Sequence, residues 1–156
     1  MKKSILISFI MTIVFFLNCN TMPTHATEKQ IIDTTIEYFE DGSYAVITII
    51  EEPNNSRTTV KSGSKVYTYS DSDGATLWTY KITGTFSYTG STSTCTAVSD
   101  SYTISNDDWH MSSHSCSKSG NTAYGTVTMK RKFLGITTST ITRDLSLSCS
   151  ATGTLS

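Results

Sequence analysis

Residues Leu77–Cys95 read LWTYKITGTFSYTGSTSTC. From Trp78 to Tyr88, large apolar side chains recur at every second position, and the alternate positions are mostly Thr, Ser and Lys. A period of two places the first set on one face of a β-strand and the second set on the other. Gly84 interrupts the aromatic face, and a glycine inside a strand marks a bulge, a bend or the close approach of a neighbour. The segment predicts a long strand whose aromatic face anchors the core of the protein.

The first 26 residues have the layout of a secretory signal peptide. Two lysines precede the apolar run Ile5–Leu17, and small residues lead to a cleavage point after Ala26. The run is shorter than the roughly 20 apolar residues that a membrane span needs. We therefore expect a helical signal peptide over residues 1–26 and a secreted, extracellular protein. In an alternative interpretation the protein is lipid-anchored through Cys19, and the domain is exported in either case.

The charge of the chain is small. Its 12 Lys and Arg residues face 13 Asp and Glu residues, a formal net charge of −1 at pH 7. Such a charge gives no electrostatic footprint for nucleic acid or anionic lipid. Ser and Thr are abundant, as expected where Thr favours strands and exposed sheet faces carry small polar residues. An O-glycosylated stalk would need more proline than Pro53, the one proline beyond the leader.

An N-terminal β-hairpin is predicted over Thr35–Glu51. The dipeptide Asp41-Gly42 is the sequence that a two-residue type I′ turn prefers. Counting from that turn sets Tyr38 opposite Ala45. Because a lone hairpin is marginally stable in water, this hairpin must dock on the main domain or on another molecule.

The polar segment Glu51–Arg57 ends the hairpin and divides the exported chain. Residues 27–57 form the N-terminal β-hairpin and its linker, and residues 58–156 form a β-sandwich domain. Within that domain, a four-residue loop at Asp71–Gly74 would bring Tyr67 opposite Trp78, an aromatic cross-strand pair. The same loop resembles half of a calcium site but lacks the later carboxylates, so we interpret it as a plain turn.

The last two strands can be paired by matching small residues with large ones. A two-residue loop at Leu134-Gly135 would set their apolar faces opposite polar partners. A three-residue loop that adds Ile136 is also a common hairpin connection. It gives the pairs Met129 with Ile141, Gly125 with Leu145 and Ala123 with Leu147.

The preceding hairpin is assigned in the same way. A three-residue loop at Ser119–Asn121 sets Met111 beside Met129, Ser113 beside Val127 and Trp109 beside Arg131. It turns His114 and Cys116 outward. A two-residue loop would instead turn Cys116 inward.

Several short motifs together carry a resemblance to a known family. They are LWTYKITGTFSYTG, TCTAVS, NTAYG, RKFLG and the closing LSCSATGTLS, and the resemblance covers about Ser64–Ser156. Together they resemble a family of small secreted proteins of Gram-positive anaerobes with no assigned function. The resemblance implies export and a β domain, and it places Cys95 and Cys149 at the two cysteine positions of the family. It implies no catalytic residues.

Three cysteines lie beyond the leader, and they can form one disulfide in three ways. Cys116 and Cys149 fall on strands two apart, roughly 9–10 Å from each other, whereas bridged Cα atoms lie within about 7 Å. The parity of the strand faces favours a Cys95–Cys149 disulfide with Cys116 as a free thiol. A Cys95–Cys116 disulfide is the alternative.

The spacing of Cys95, Trp109 and Cys149 is similar to that of an immunoglobulin-like sandwich, in which a tryptophan packs on the bridge between the sheets. There is no tyrosine two residues before Cys149, and only seven residues follow it. We therefore predict an all-β fold, an antiparallel two-sheet β-sandwich that is immunoglobulin-like in its general architecture and not in its topology.

The segment WHMSSHSC contains both histidines of the exported chain, His110 and His114. On an extended strand, His114 and Cys116 share a face about 7 Å apart. They are weak metal candidates because two ligands fall short of the usual three or four of a zinc site. As a nucleophile and base they would need a special bend of the strand. We predict no catalytic residues, no metal and no cofactor.

The composition favours a non-enzymatic extracellular binding module. Tyrosine suits amphipathic contacts, and the chain combines eight tyrosines with few charged groups. The candidate partners are a cell-surface glycan or a protein, with no nucleic acid and no stable membrane insertion after signal cleavage. The alternative is a structural or self-assembling surface protein whose N-terminal hairpin donates an edge to a neighbour. A secreted toxin has no distinguishing residue in this sequence.

Overall fold

The computed structural model describes residues 28–53 and 59–156, and every regular element in these ranges is a β-strand. The eight strands are β1 (Gln30–Tyr38), β2 (Tyr44–Glu51), β3 (Val60–Ser70), β4 (Thr76–Tyr88), β5 (Ser93–Ile104), β6 (Trp109–Ser119), β7 (Thr122–Phe133) and β8 (Ile136–Ser148). Strands β1 to β5 form one antiparallel sheet and β6 to β8 a second. The prediction of an all-β fold with two antiparallel, sandwich-like sheets is confirmed.

The signal peptide, its cleavage point after Ala26 and Cys19 lie outside the described residues, as does most of the linker that follows the hairpin. Within the two described ranges, no helix has the length and hydropathy of a membrane span.

Strand order is sequential in both sheets, so each strand pairs with its neighbour in the chain. An immunoglobulin domain differs, because Greek-key connections link its strands. The chain passes from the first sheet to the second between β5 and β6. Strands β7 and β8 then pack across β4, with β7 also touching β5 and β8 also touching β3. The outermost strand of the first sheet is β1, and all nine of its residues are exposed, whereas β2 contributes the buried Ala45 and Ile49 to the core.

The alternation in β4 is confirmed along its aromatic face. Trp78, Tyr80, Ile82, Gly84 and Phe86 are buried, whereas the intervening side chains are half-buried. The aromatic rings concentrate at one end of this face. Trp78 lies with its ring centroid 5.3 Å from that of Tyr67, 5.4 Å from that of Tyr69 and 6.1 Å from that of Trp109. Trp109 belongs to β6, so this cluster joins the two sheets.

Two glycines let the sheets approach closely. A Cβ atom at Gly84 would lie 2.6 Å from the ring of Phe86, which confirms the close approach predicted there. A Cβ atom at Gly125 would overlap Ile82 and lie 2.7 Å from Tyr80 Oη. Any side chain at Gly125 would displace β4 side chains that fill the core. The absence of a side chain at this position of β7 therefore makes room for the aromatic face of β4.

The predicted register of the β1–β2 hairpin is wrong by one residue. Tyr38 pairs with Tyr44, and Ala45 pairs with Glu37. The turn closes between Phe39 and Ser43 with a three-residue loop in which Gly42 has φ +81°. A three-residue loop with a left-handed glycine is another common hairpin connection, and it shifts the pairing by one.

The β3–β4 turn repeats this geometry. Asp71 pairs with Ala75, and Gly74 has φ +88°. A further irregularity follows, so Trp78 lies opposite Tyr69, and the predicted cross-strand pair with Tyr67 is wrong. The ring of Tyr67 still stacks on Trp78 across the diagonal.

In the last two hairpins, most of the predicted pairs are correct and the predicted loops are wrong. The pairs of Met129 with Ile141 and of Met111 with Met129 are present, whereas Ser113 pairs with Thr128 and not with Val127. Both loops nevertheless have two residues, and a β-bulge supplies the extra residue, at Thr138 in β8 and at Ser112 in β6. A bulge inserts one residue into one strand of a pair.

The bulge in β6 overturns the predicted orientation of two candidate site residues. Beyond Ser112, each residue of β6 lies on the face opposite to the one that unbroken alternation predicts. His114 therefore pairs with the buried Val127, and Cys116 pairs with the buried Gly125. Both side chains therefore lie on the face of β6 that looks toward the first sheet, and not on the outward face.

Candidate functional site

His114 and Cys116 meet a carboxylate at the seam between β5 and β6. Asp100 lies on β5 opposite Ile82, and its Oδ2 is 2.7 Å from His114 Nδ1. Tyr80 Oη lies 2.9 Å from the same Oδ2 atom and 3.1 Å from the carbonyl oxygen of Ser115. The Asp100 side chain is 11% exposed and the His114 side chain 37% exposed. Strands β4, β5 and β6 thus converge on one carboxylate, and we name these four groups the Asp100 cluster (Tyr80, Asp100, His114 and Cys116).

The electrostatics of the cluster follow from the shared carboxylate. Burial opposes ionisation of Asp100, but hydrogen bonds from His114 and Tyr80 outweigh it, so the pKa of Asp100 is lowered. Burial raises the pKa of the Cys116 thiol, and the negative charge of Asp100 adds to that rise. Burial and the bond to Asp100 also raise the pKa of Tyr80. The cluster therefore favours an ionised Asp100 and a protonated Cys116.

This arrangement links the sheets rather than activating a nucleophile. A nucleophilic cysteine needs a base that takes its proton and a lowered thiol pKa. Here burial and the negative charge of the neighbouring Asp100 raise the pKa of the Cys116 thiol instead. In residues 28–53 and 59–156, no group of three or more His, Cys, Asp or Glu side chains is placed to hold a metal ion.

Acid should destabilise the protein through Asp100. Because its pKa is lower in the folded chain than in the unfolded chain, the stabilisation is present above the ordinary carboxyl pKa of about 3.9 and is lost as the pH falls through the folded value. Urea denaturation should therefore show a free energy of unfolding that decreases from about pH 5 to about pH 2. The Asp100→Asn variant should be less stable at the higher pH and lose less stability on acidification.

The exposed Asp107 provides a matched control on the loop before β6. Asp107→Asn should retain the acid-dependent loss of the unmodified protein. An Asp100→Asn variant that loses as much stability in acid as the unmodified protein does would contradict the role of Asp100.

Cys95 and Cys149 lie beside the same turn. The backbone N–H of Cys95 donates to the carbonyl oxygen of Gly120 at 2.8 Å, and that of Cys149 donates to the next carbonyl, of Asn121, at 3.1 Å. Both side chains are buried, and burial raises the pKa of Cys95, with a smaller rise from the nearby Cys149. All three cysteines of the described residues are free thiols here, and no two are within bonding distance. The two predicted partners therefore sit next to each other, whereas Cys116 belongs to the Asp100 cluster.

A second feature is a cleft of about 320 Å³ at the end of the molecule that holds the β1–β2 and β3–β4 turns. Asp41 and Asp71 from these turns line it together with Arg131 near the end of β7. Hydrogen bonds from Ser43 lower the pKa of Asp41. The apolar part of the lining includes Trp109, at the start of β6. We name this site the end cleft.

A third feature is an apolar surface on the outer side of the first sheet. Ile36 pairs with Val46, and Tyr38 pairs with Tyr44 at a ring-centroid distance of 6.1 Å. Ile31 pairs with Ile50 on the same side of the sheet. The β1 members of these pairs are 65% exposed at Ile31, 48% at Ile36 and 75% at Tyr38. We name this surface the hairpin face (Ile31, Ile36, Tyr38, Tyr44, Val46 and Ile50).

No protein-family model, curated protein or solved structure matches the chain.

Sequence patterns identified some residues of the Asp100 cluster and missed others. His114 and Cys116 were candidates, but Asp100 was not, because a bulge at Thr96 shifts the faces of β5. With Cys95 facing inward and no bulge, Asp100 would point outward. An isolated carboxylate between apolar and hydroxyl residues, as in VSDSY, was the available signal. The residues of the end cleft are far apart in the chain, and no spacing relates them.

Proposed function

We propose that the chain is an exported, non-enzymatic binding module that engages a partner through the hairpin face. The observation that carries this proposal is the exposure of Ile31, Ile36 and Tyr38 on the outer face of one strand. Ile36 and Tyr38 are neighbours on that face, and the Thr34–Thr48 pair lies between them and Ile31. Scattered apolar residues on a surface are ordinary, but a contiguous apolar patch marks an interaction site. Tyr38 and Tyr44 add hydroxyl groups at one end of the patch, which suits a partner that is partly apolar and partly polar.

The edge of β1 bears on the competing proposal, a self-assembling surface protein. Among the described strands, β1 is the outer one of its sheet and pairs only with β2. The strand carries a bulge at Ile32 and charged residues, Asp33 and Glu37, on the side that faces the second sheet. Bulges and inward-pointing charges are the devices that prevent edge-to-edge pairing. These features favour docking on the face of the hairpin over addition of a strand at its edge.

Several further properties belong to the same proposal. The leader and the resemblance to small secreted proteins of Gram-positive anaerobes support export. The juxtaposition of Cys95 and Cys149 supports a disulfide formed outside the cell, where such bonds persist. The two-sheet architecture supports the comparison with immunoglobulin-like sandwiches at the level of layers.

A binding screen with residues 27–156 tests the proposal. The labelled protein is applied to bacterial and animal cell surfaces and to a glycan array. The double variant Ile36→Ser/Tyr38→Ser should lower the affinity for any surface that binds by about tenfold or more, the effect of an interface contribution of roughly 1.4 kcal/mol. Its melting temperature should change little, because both side chains are exposed.

The matched control is Phe133→Ser, which removes an exposed aromatic side chain from the second sheet. It should leave binding unchanged. Binding that Phe133→Ser and the double variant weaken equally would contradict the hairpin face. Concentration-dependent dimers or larger species in size-exclusion chromatography, abolished by the double variant, would favour self-assembly instead.

A further inference from the structure

We propose that the end cleft is a second binding site that takes one residue of a neutral saccharide. The cleft is separate from the hairpin face, because it lies against the core residues Tyr69 and Trp109 rather than on the outer side of the sheet. Its volume of about 320 Å³ falls at the small end of ligand sites, which range over about 300–1,000 Å³. A single sugar ring is therefore the appropriate size class.

The turns that carry the two carboxylates of the cleft are held rigid by their own hydrogen bonds. Asp41 Oδ1 accepts hydrogen bonds from the backbone N–H and the hydroxyl of Ser43. The Ser43 hydroxyl, which is buried, also lies 2.8 Å from the Tyr69 hydroxyl. Asp71 Oδ1 accepts hydrogen bonds from the backbone N–H groups of Asp73 and Ala75. Both carboxylates are thus fixed in place before any ligand arrives, which lowers the entropic cost of binding.

Both carboxylates retain capacity for a ligand. A carboxylate has about four acceptor positions over its two oxygens, and the bonds within the turns use only one oxygen of each. Arg131 supplies donors, because a guanidinium has five N–H groups. One of its nitrogen atoms, Nη2, lies 3.6 Å from Asp108 Oδ2 in an ion pair. Ser72 and Ser139 add hydroxyl groups to the lining. The cleft therefore offers acceptors, donors and groups that do both.

This lining matches a neutral polyol better than an ion. Two carboxylates disfavour an anionic ligand, and Arg131 offsets part of their attraction for a cationic one. Sugar hydroxyl groups donate to carboxylates and accept from a guanidinium, so they satisfy both kinds of group without net charge. Leu77 and Trp109 supply an apolar wall for the C–H side of a sugar ring. Small-molecule binding sites in general combine an apolar lining with a few fixed polar groups.

Saturation-transfer NMR tests the proposal with residues 27–156. The probes are the methyl glycosides of glucose, galactose, mannose and N-acetylglucosamine, with N-acetylneuraminic acid and arginine as anionic and cationic comparators. We expect saturable binding of at least one neutral glycoside with a millimolar Kd, stronger than that of either comparator. Arg131→Gln should weaken this binding by about tenfold. The Arg131 side chain is 55% exposed, so the variant should fold.

The matched control is Lys130→Gln, which removes the same charge one residue away. Lys130 pairs with His110 and lies with it on the opposite surface of the second sheet. Lys130→Gln should leave glycoside binding unchanged, as should the hairpin-face double variant, Ile36→Ser/Tyr38→Ser. The proposal would be overturned if no neutral glycoside showed saturable binding, or if a charged comparator bound more strongly than every neutral glycoside. It would also be overturned if Lys130→Gln weakened glycoside binding as much as Arg131→Gln does. None of these results depends on whether the hairpin face binds a partner.

Discussion

Replacement of Trp78 by alanine should lower the free energy of unfolding by about 3–5 kcal/mol, the range for removing a fully buried aromatic side chain. Trp78 is completely buried and contacts the rings of Tyr67, Tyr69 and Trp109. Since Trp109 belongs to the second sheet, the cavity would open at the junction between the sheets. Urea denaturation of the Trp78→Ala variant measures this loss directly.

The indole Nε1 of Trp78 is buried and has no hydrogen-bond partner among the described residues. Trp78→Phe removes that unsatisfied N–H together with part of the ring, so it should cost much less than Trp78→Ala. Tyr124→Ala is the matched control, because Tyr124 is 43% exposed on the outer face of β7. Its cost should stay within about 1 kcal/mol. A Trp78→Ala variant as stable as Tyr124→Ala would contradict the central place of Trp78 in the core.

Removal of Cys149 should produce a loss of similar size in protein that has been oxidised. Cys95 and Cys149 are buried beside adjacent carbonyl groups of one turn, where a disulfide would close a loop of about 55 residues. By the chain-entropy model, such a bridge contributes roughly 4 kcal/mol. We therefore expect Cys149→Ser, and equally Cys95→Ser, to lower the melting temperature of the oxidised protein strongly.

Cys116→Ser is the matched control for this prediction, because Cys116 lies in the Asp100 cluster and not beside that turn. It should change the melting temperature much less. Mass spectrometry of the oxidised protein should find it two hydrogens lighter than the reduced form and should place the bridge between Cys95 and Cys149. A bridge mapped through Cys116, or equal losses in Cys116→Ser and Cys149→Ser, would exclude the predicted pairing.

The two proposed binding sites differ in the way their residues are brought together. The hairpin face is built from adjacent strands, and each of its pairs follows from one turn. The end cleft is built from two turns and from strands of both sheets. A variant of one site should therefore leave the other intact, and this separation makes the binding experiments independent.

Local pattern was enough to predict the elements and several of their contacts. The alternation of β4 predicted the buried face of Trp78 to Phe86, because the pleat of a strand fixes the side of each residue. The match of small with large residues predicted the pair of Gly125 with Leu145. Both inferences rest on properties that each strand carries in its own residues.

Only the packed structure decided on which face of a strand each residue lies beyond a β-bulge. A β-bulge adds one residue without a distinctive sequence, and it exchanges the two faces of the strand from that point on. The bulges at Thr96 and Ser112 turn Asp100, His114 and Cys116 toward one another, although an unbroken alternation sends all three outward. The loop of the β1–β2 hairpin shifted by one residue for a related reason, since Asp-Gly suits loops of two or three residues. Packing of the whole sheet selects among these alternatives in the strands that have a buried face. In β1, all of whose residues are exposed, the turn decides, and Asp33 and Glu37 lie on the inner side while Ile36 and Tyr38 lie on the outer side.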